Sequence, residues 1–350
     1  MGTVFEARAQ ALAAQPRTWL VTGAAGFIGS HLVESLLRLG QRVVGLDNFA
    51  TGSRTNLELV AQAPGVREAW PGFRMIEADI CDLDACRAAT AGVDFVLHQA
   101  ALGSVPRSIQ RPLDTHRSNV DGTVNVFLAA LENRVSRVVY ASSSSVYGDE
   151  PHLPKTEGRI GRPLSPYAAS KRIGEIYAEV FASTHGLWAV GLRYFNVLGP
   201  RQDPSGPYAA VIPRWVQALA QGERPAIYGD GETSRDFCPV QNVVQANLLA
   251  AMAGGELAGR VYNVALGGRT TLNELHALLR SGMARRGFDC AALEPEYRDF
   301  RPGDVRHSLA DITAAQRDLG YEPTCSLPEG LEDVMDFFAG RTSAVRGDAI

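Results

Sequence analysis

Tyr167 and Lys171 are separated by four residues in a stretch, Pro166–Thr184, whose pattern predicts a helix, so both side chains share one face. A tyrosine ordinarily ionises near pH ~10, too high for a base at neutrality. A lysine ammonium a few ångströms away, together with a cationic ring, favours the phenolate and equips the tyrosine to remove a proton. The spacing alone is a common accident. Its weight here comes from composition: of 34 basic residues only Lys155 and Lys171 are lysines, so a position that remains lysine is less easily put down to chance. Upstream, Ala141-Ser142-Ser143-Ser144-Ser145-Val146-Tyr147-Gly148 closes a predicted strand with a run of hydroxyls. At the carboxyl end of a sheet strand such a run can hydrogen-bond a substrate hydroxyl. The chain has no G-x-S-x-G elbow, so a hydrolase triad is unsupported.

A second constellation lies near the N-terminus. Gly23-Ala24-Ala25-Gly26-Phe27-Ile28-Gly29 sits between a predicted strand and a predicted helix. Residues without Cβ let backbone N–H groups approach a pyrophosphate, which then meets the positive end of the helix. Asp47, followed by Asn48, ends the next strand 18 residues after Gly29, where a carboxylate accepts hydrogen bonds from a ribose and repels a 2′-phosphate. The expected cofactor is therefore NAD rather than NADP, with Arg54 close enough to weaken that preference. Asp79 and Ile80 follow the third strand, on the adenine side. Ala100 and Ala101 follow the fourth and leave room for the cofactor.

These groups require a particular scaffold. Trp19–Thr22, Arg42–Leu46, Phe73–Glu77, Phe95–Gln99, Arg137–Ser142 and Trp188–Tyr194 read as strands. Phe27–Leu39, Asp84–Ala91, Val120–Asn133 and Pro166–Thr184 read as helices. Such alternation implies a doubly wound parallel α/β sheet of the Rossmann type. After Asn196 the texture changes to Pro, Gly, Arg and aromatic residues around helices at Ala209–Gln221 and Leu272–Arg285. The reading is an N-terminal extension (1–17), an NAD-binding domain with the catalytic residues (18–196), a smaller substrate-binding lobe that partly returns to the first domain (197–340), and a tail (341–350).

Composition narrows the rest. With 34 basic against 38 acidic residues the net charge is −4, which argues against a nucleic-acid partner. Five cysteines without a C-x-x-C favour reduced thiols over a disulfide framework or a metal site, as expected in the cytoplasm. The first 16 residues lack a long apolar core and read as an extension or short helix rather than a signal peptide. No apolar run approaches the roughly 20 residues a membrane span needs.

Together these motifs, with His98-Gln99-Ala100-Ala101, Tyr194-Phe195-Asn196 and Arg301-Pro302-Gly303-Asp304, resemble the extended short-chain dehydrogenase/reductases over roughly residues 18–338, and within them the nucleotide-sugar 4-epimerases. Ala210-Val211-Ile212-Pro213-Arg214-Trp215 and Ser234-Arg235-Asp236-Phe237-Cys238 look most similar to bacterial UDP-N-acetylglucosamine 4-epimerases of polysaccharide pathways. The resemblance implies tightly held NAD, a UDP-hexose substrate and a homodimer built on Val120–Asn133 and Pro166–Thr184. The family's catalytic hydroxyl lies four residues before the tyrosine of its V-Y-G motif. This points to Ser143 within the run of four, with Ser144 and Ser145 as further substrate contacts. It also implies that Asn196 meets sugar or diphosphate, that Arg235 and Arg301 clamp the diphosphate with their rigid donor forks, and that Asp304 lies near the uridine ribose.

Two relatives' chemistries are disfavoured. A 4,6-dehydratase of this family carries Asp-Glu directly after the catalytic hydroxyl, where this chain has Ser144-Ser145; a decarboxylase also wants an acid there. A non-catalytic NAD-binding regulator has no need of Ser143, Tyr167 and Lys171 together. Finally, epimerases restricted to UDP-glucose and UDP-galactose carry a bulky aromatic four residues after the R-x-G-D aspartate. That position is Ser308 here, which leaves room for an acetamido group. The expected reaction is interconversion of UDP-N-acetylglucosamine and UDP-N-acetylgalactosamine, or of their uronic acids.

Overall fold

The computed structural model describes residues 2–204, 210–300 and 305–347. In chain order its first half runs α1 (Val4–Ala14), β1 (Thr18–Thr22), α2 (Phe27–Arg38), β2 (Arg42–Asp47), α3 (Arg54–Gln62), β3 (Phe73–Glu77), α4 (Leu83–Thr90), β4 (Phe95–His98), α5 (Val105–Gln110), α6 (Pro112–His116), α7 (Gly122–Glu132), β5 (Arg137–Ser143), α8 (Pro166–His185) and β6 (Ala189–Tyr194). The second half runs β7 (Val197–Leu198), α9 (Val211–Ala220), β8 (Ala226–Tyr228), β9 (Ser234–Arg235), β10 (Cys238–Pro239), α10 (Val240–Ala251), β11 (Val261–Val264), β12 (Thr270–Thr271), α11 (Leu272–Arg285), β13 (Glu296–Arg298), α12 (Thr313–Leu319) and α13 (Leu327–Gly347).

Seven strands form one parallel sheet in the order β11-β6-β5-β4-β1-β2-β3. Helices cover both faces, so the strands are apolar nearly throughout; β6 is buried at every position. Leu32, Val33 and Leu36 of α2 and Val243, Leu248 and Leu249 of α10 pack on one face. Val126, Phe127 and Ala130 of α7 and Ala178 of α8 pack on the other. The strand order reverses between β1 and β4. In a doubly wound sheet a cleft opens at the carboxyl ends of those strands.

Elements from beyond residue 196 complete the first domain: β11 pairs with β6, and α10 lies under the sheet. The remaining lobe has its own core of Trp215, Leu219, Leu275, Leu279, Leu331 and Met335, from α9, α11 and α13. The chain start is also tied in. Helix α1 opens with a capping box between Thr3 and Glu6, Arg8 Nη1 donates to the Leu249 carbonyl at 2.6 Å, and Leu12 is buried.

The observed elements differ from the sequence expectation in informative places. The helix expected at Ala209–Gln221 spans Val211–Ala220, and Ala209 lies outside the described residues. The helix expected from Val120 begins with a π-helical turn, Arg117–Asp121. β11 and the short helices α3, α5 and α6 have too few residues to display a period.

Candidate active site

The cleft at the switch point encloses about 1180 Å³ and brings together most of the residues singled out above. Its floor is the turn between β1 and α2. Gly23 has φ +69°, and a Cβ there would meet the Ala100 backbone nitrogen at 2.8 Å; a Cβ on Gly29 would sit 1.9 Å from the Gly23 carbonyl oxygen. Only glycine allows this crossing. No side chain caps the first turn of α2 at Gly26, so its N–H groups face the cleft as an anion site, with Phe27, Ile28 and Gly29 along the wall.

Asp47 ends β2, and its carboxylate accepts from Ala25 N at 2.9 Å and Phe49 N at 2.8 Å. It thereby fastens the glycine turn to the strand that carries it. Burial pushes its carboxyl above the ordinary value, and those two N–H bonds oppose the shift. Arg54 is engaged elsewhere, 2.6 Å from Glu77 and 4.1 Å over the Phe49 ring. Asn48 donates to Asp79 at 2.8 Å, and Asp79 also accepts from Cys81 N at 2.8 Å. Burial would raise Asp79, but the bonds from Cys81 and Asn48 and the Arg117 charge outweigh it and hold the carboxyl low. Ile80, Ala100 and Ala101 complete this wall. A cleft with an uncapped helix start, a strand-end carboxylate and a second acid beyond it fits a dinucleotide.

At the other end of the cleft, helix α8 starts cleanly. Ser165 caps it by accepting from Ala168 N, and Pro166 occupies the first turn, where its missing N–H is not needed. Tyr167 and Lys171 therefore stand one turn apart beside the end of β5. Lys171 Nζ donates to the Ala141 carbonyl at 2.8 Å, and burial pulls its pKa down to about 8, opposed by Glu175. The serine run divides by partner. Ser142 lines the cleft together with Ala141, and its Oγ donates to Glu175 at 2.6 Å. Ser143 accepts from Ser145 N and Oγ at 3.1 and 3.0 Å and hydrogen-bonds the Tyr167 hydroxyl. Ser144 and Ser145 are half-buried in the same turn.

Within the protein alone, burial raises Tyr167 above the ordinary tyrosine value and the Ser143 hydrogen bond only opposes it. The Lys171 ammonium lies 6.0 Å from the ring centroid and donates to Ala141 O, with the cationic ring that the expectation also invoked arriving only with the cofactor.

A second cleft of about 450 Å³ adjoins in the C-terminal lobe, lined by Asn196, Arg214, Trp215, Tyr228, Arg235 and Arg298 among others. Asn196, at φ +29°, donates Nδ2 to the Asp236 carbonyl at 3.0 Å. Arg235 Nη1 reaches the Arg306 carbonyl at 3.1 Å. Ser308 lies on the adjoining segment, its N–H bonded to Ser234 O at 3.1 Å. Arg301 and Asp304 lie outside the described residues.

Three supporting groups escaped the sequence reading. Thr22, His98 and Thr123 form a buried chain (2.7 and 3.0 Å) behind Ala100, and burial with the nearby Lys171 charge drives His98 down to about 3, so it is neutral. Asn119 pairs with both backbone groups of Leu102 and donates to Ser170 on α8. Fully buried Asp236 accepts from Leu266, Gly267 and Ala310 N–H groups, joining three segments of the C-terminal lobe. His98 and Asp236 stood inside motifs already quoted. Asn119 carried no local signal.

Residues 19–265 match the model of the NAD dependent epimerase/dehydratase family. The chain belongs to that family. It is similar to a UDP-glucose 4-epimerase of Mycolicibacterium smegmatis, 38% identical over 325 residues that span 92% of this chain and 99% of the relative. A dTDP-glucose 4,6-dehydratase of Streptomyces griseus is 37% identical over 317 residues, 89% and 91% of the two chains. Among solved structures, a UDP-N-acetylglucosamine 4-epimerase from Methanobrevibacter ruminantium, in complex with UDP-N-acetylmuramic acid, superposes with a TM-score of 0.85. It is 38% identical and covers 93% of this chain and 99% of its own. NAD is thus the cofactor.

Asp47→Ala removes a charged acceptor and is expected to weaken NAD binding about 10- to 100-fold while relaxing discrimination against NADP. Calorimetric titration of cofactor-stripped protein with each dinucleotide measures both. An unchanged NAD/NADP ratio contradicts the role given to Asp47.

Proposed function

We propose that this chain is a UDP-sugar 4-epimerase that works best on N-acetylated hexoses, UDP-N-acetylglucosamine and UDP-N-acetylgalactosamine, or on their uronic acids. The observation that carries the epimerase reading is the meeting of Ser143, Tyr167 and Lys171 beside the glycine turn, in a serine run without any carboxylate. An eliminating dehydratase needs an acid–base pair at the sugar. Glu175, the buried carboxylate bonded to Ser142, is held by Arg193 and Arg172.

In this reading Tyr167 takes the O4 proton, with the Ser143 hydroxyl on the proton path. Lys171, largely protonated at neutral pH, grips the nicotinamide ribose and places its charge near the phenol. NAD, when bound, supplies the hydride acceptor for C4 and the hydride donor for the return. Because the cationic ring arrives with the cofactor, the phenolate becomes favourable only in the loaded site, in accord with the raised pKa of Tyr167 in the protein alone. Asn196 and Arg235 are assigned to the diphosphate side, with Arg301 and Asp304 as the family resemblance implies. The 4-keto sugar turns about its diphosphate linkage and presents its other face, so its C2 substituent sweeps the wall assigned to Ser308.

We further propose a homodimer and a cytoplasmic location. Ile109 and Leu113 on α5 and α6 and Ile176, Tyr177 and Val180 on α8 stand 61%, 76%, 44%, 38% and 45% exposed, an apolar face that a second copy would cover. The buried and half-buried cysteines are unpaired thiols, as suits a reducing compartment. Sedimentation at the mass of one chain contradicts the dimer.

Tyr167→Phe is expected to lower kcat about 10²- to 10⁴-fold while NAD remains bound. Turnover above about a tenth of wild type removes Tyr167 from the role. Ser308→Tyr is expected to suppress acetylated substrates and spare UDP-glucose and UDP-galactose. Equal losses in both classes, or persistence of the acetylated one, refute the Ser308 reading.

A further inference from the structure

Tyr167, Lys171 and Glu175 follow one another at four-residue steps along α8, facing the last three residues of β5. Each faces a partner there. Lys171 Nζ donates to Ala141 O, Ser142 Oγ donates to Glu175 Oε1 at 2.6 Å, and Ser143 bonds the Tyr167 hydroxyl. Glu175 is the deepest rung and the most heavily held. Its Oε1 also accepts from Arg193 Nε at 2.8 Å, and its Oε2 from Arg193 Nη2 and Arg172 Nη1, both at 2.9 Å. The side chains of Glu175 and Arg193 are each 1% exposed. Arg193 continues outward: Nη1 donates to Glu157 O at 2.9 Å, and the guanidinium lies 4.9 Å from the centroid of Tyr147, the ring that closes the serine turn.

We propose that Glu175, held by Arg193, is a positioning residue for the reaction: it sets the register of α8 against the serine turn and places a carboxylate one helical turn beyond the Lys171 ammonium. The inference rests on the assignment of Tyr167 and Lys171 made above.

The charges around the pair give the expected sign. Lys171 is faced by Glu175 and Tyr167 on its own helix and by His98 from β4, which is neutral above about pH 3. Glu175 is faced by Arg172 on α8, Arg193 on β6 and the un-ionised Tyr140 on β5, with Tyr147 and Glu157 beyond Arg193. Burial lowers Lys171 and Glu175 is the charge that opposes it. Neutralising Glu175 therefore lets Lys171 lose its proton at lower pH, and the high-pH limb of kcat moves down.

The test is the pH dependence of kcat for Glu175→Gln and Glu175→Asp, in protein shown by absorbance to retain NAD. For E175Q the high-pH limb is expected to fall by roughly one pH unit. For E175D, which keeps the charge but shortens the reach, kcat is expected to drop with the limb in place. Should E175Q not fold, the double variant Glu175→Gln/Arg193→Gln removes both members of the buried ion pair, so Arg193 is not left unpaired, and a downward limb shift is still expected. An unmoved limb in E175Q or in the double variant, or an equal shift in E175D, overturns the proposal. Tyr167→Phe separates this from the parent reading. If Y167F is inactive and the limb does not move in E175Q, only the role of Glu175 fails; if Y167F stays active, the base assignment fails.

Discussion

A buried ammonium must be given partners, and in this chain that requirement organises the reacting end. Lys171 is drawn out of water by α8 and the sheet, so its pKa falls to about 8, with the Glu175 charge opposing the fall, and its Nζ donates to the Ala141 carbonyl. The same contacts lock α8 to the end of β5. Tyr167, one turn earlier, is then set against Ser143, while Ser142 donates to Glu175. Four consecutive serines are chemically alike; the helix beside them makes them different.

The cofactor end depends on a comparable economy. Asp47 accepts from Ala25 N and Phe49 N, so the strand-end carboxylate assigned to the ribose also shapes the glycine turn beside it. The opposite wall comes from far along the chain. Gln202, Asp203 and Ala210 line the same cleft, and the buried Asp236 ties residues 266, 267 and 310 together behind the second cleft. The two clefts are therefore joined by the segments that follow β6, rather than divided at a clean boundary near residue 196.

Much of this was legible from local pattern. Glycine spacing, strand-end acids and the tyrosine–lysine step are short-range signals, and they located the first cleft and the parallel sheet. What escaped was long-range. Asn119 acts by meeting Leu102 and Ser170, and β11 earns its place only by pairing with β6, neither of which leaves a period in the sequence. Glu175 lay one further step along the same helix face, but its significance needs Arg193, a strand away. The scarcity of lysine pointed to Lys155 as well as Lys171. Lys155 is buried, with its amine on the Glu150 carbonyl and its backbone on Leu309 and Asp311, so it braces the segment that carries Ser308. The four-residue spacing placed Lys171 beside Tyr167, but it could not show that the ammonium also holds the Ala141 carbonyl at the end of β5.

The central claim is that C4 is inverted by removing and returning the same hydrogen, with only the O4 proton passing through Tyr167. Turnover of UDP-N-acetylglucosamine in D₂O without added NAD, followed by NMR, tests it most directly. The account predicts UDP-N-acetylgalactosamine that retains protium at C4, with no NADH accumulating. Deuterium at C4, or a 4-keto-6-deoxy product carrying solvent deuterium, contradicts it.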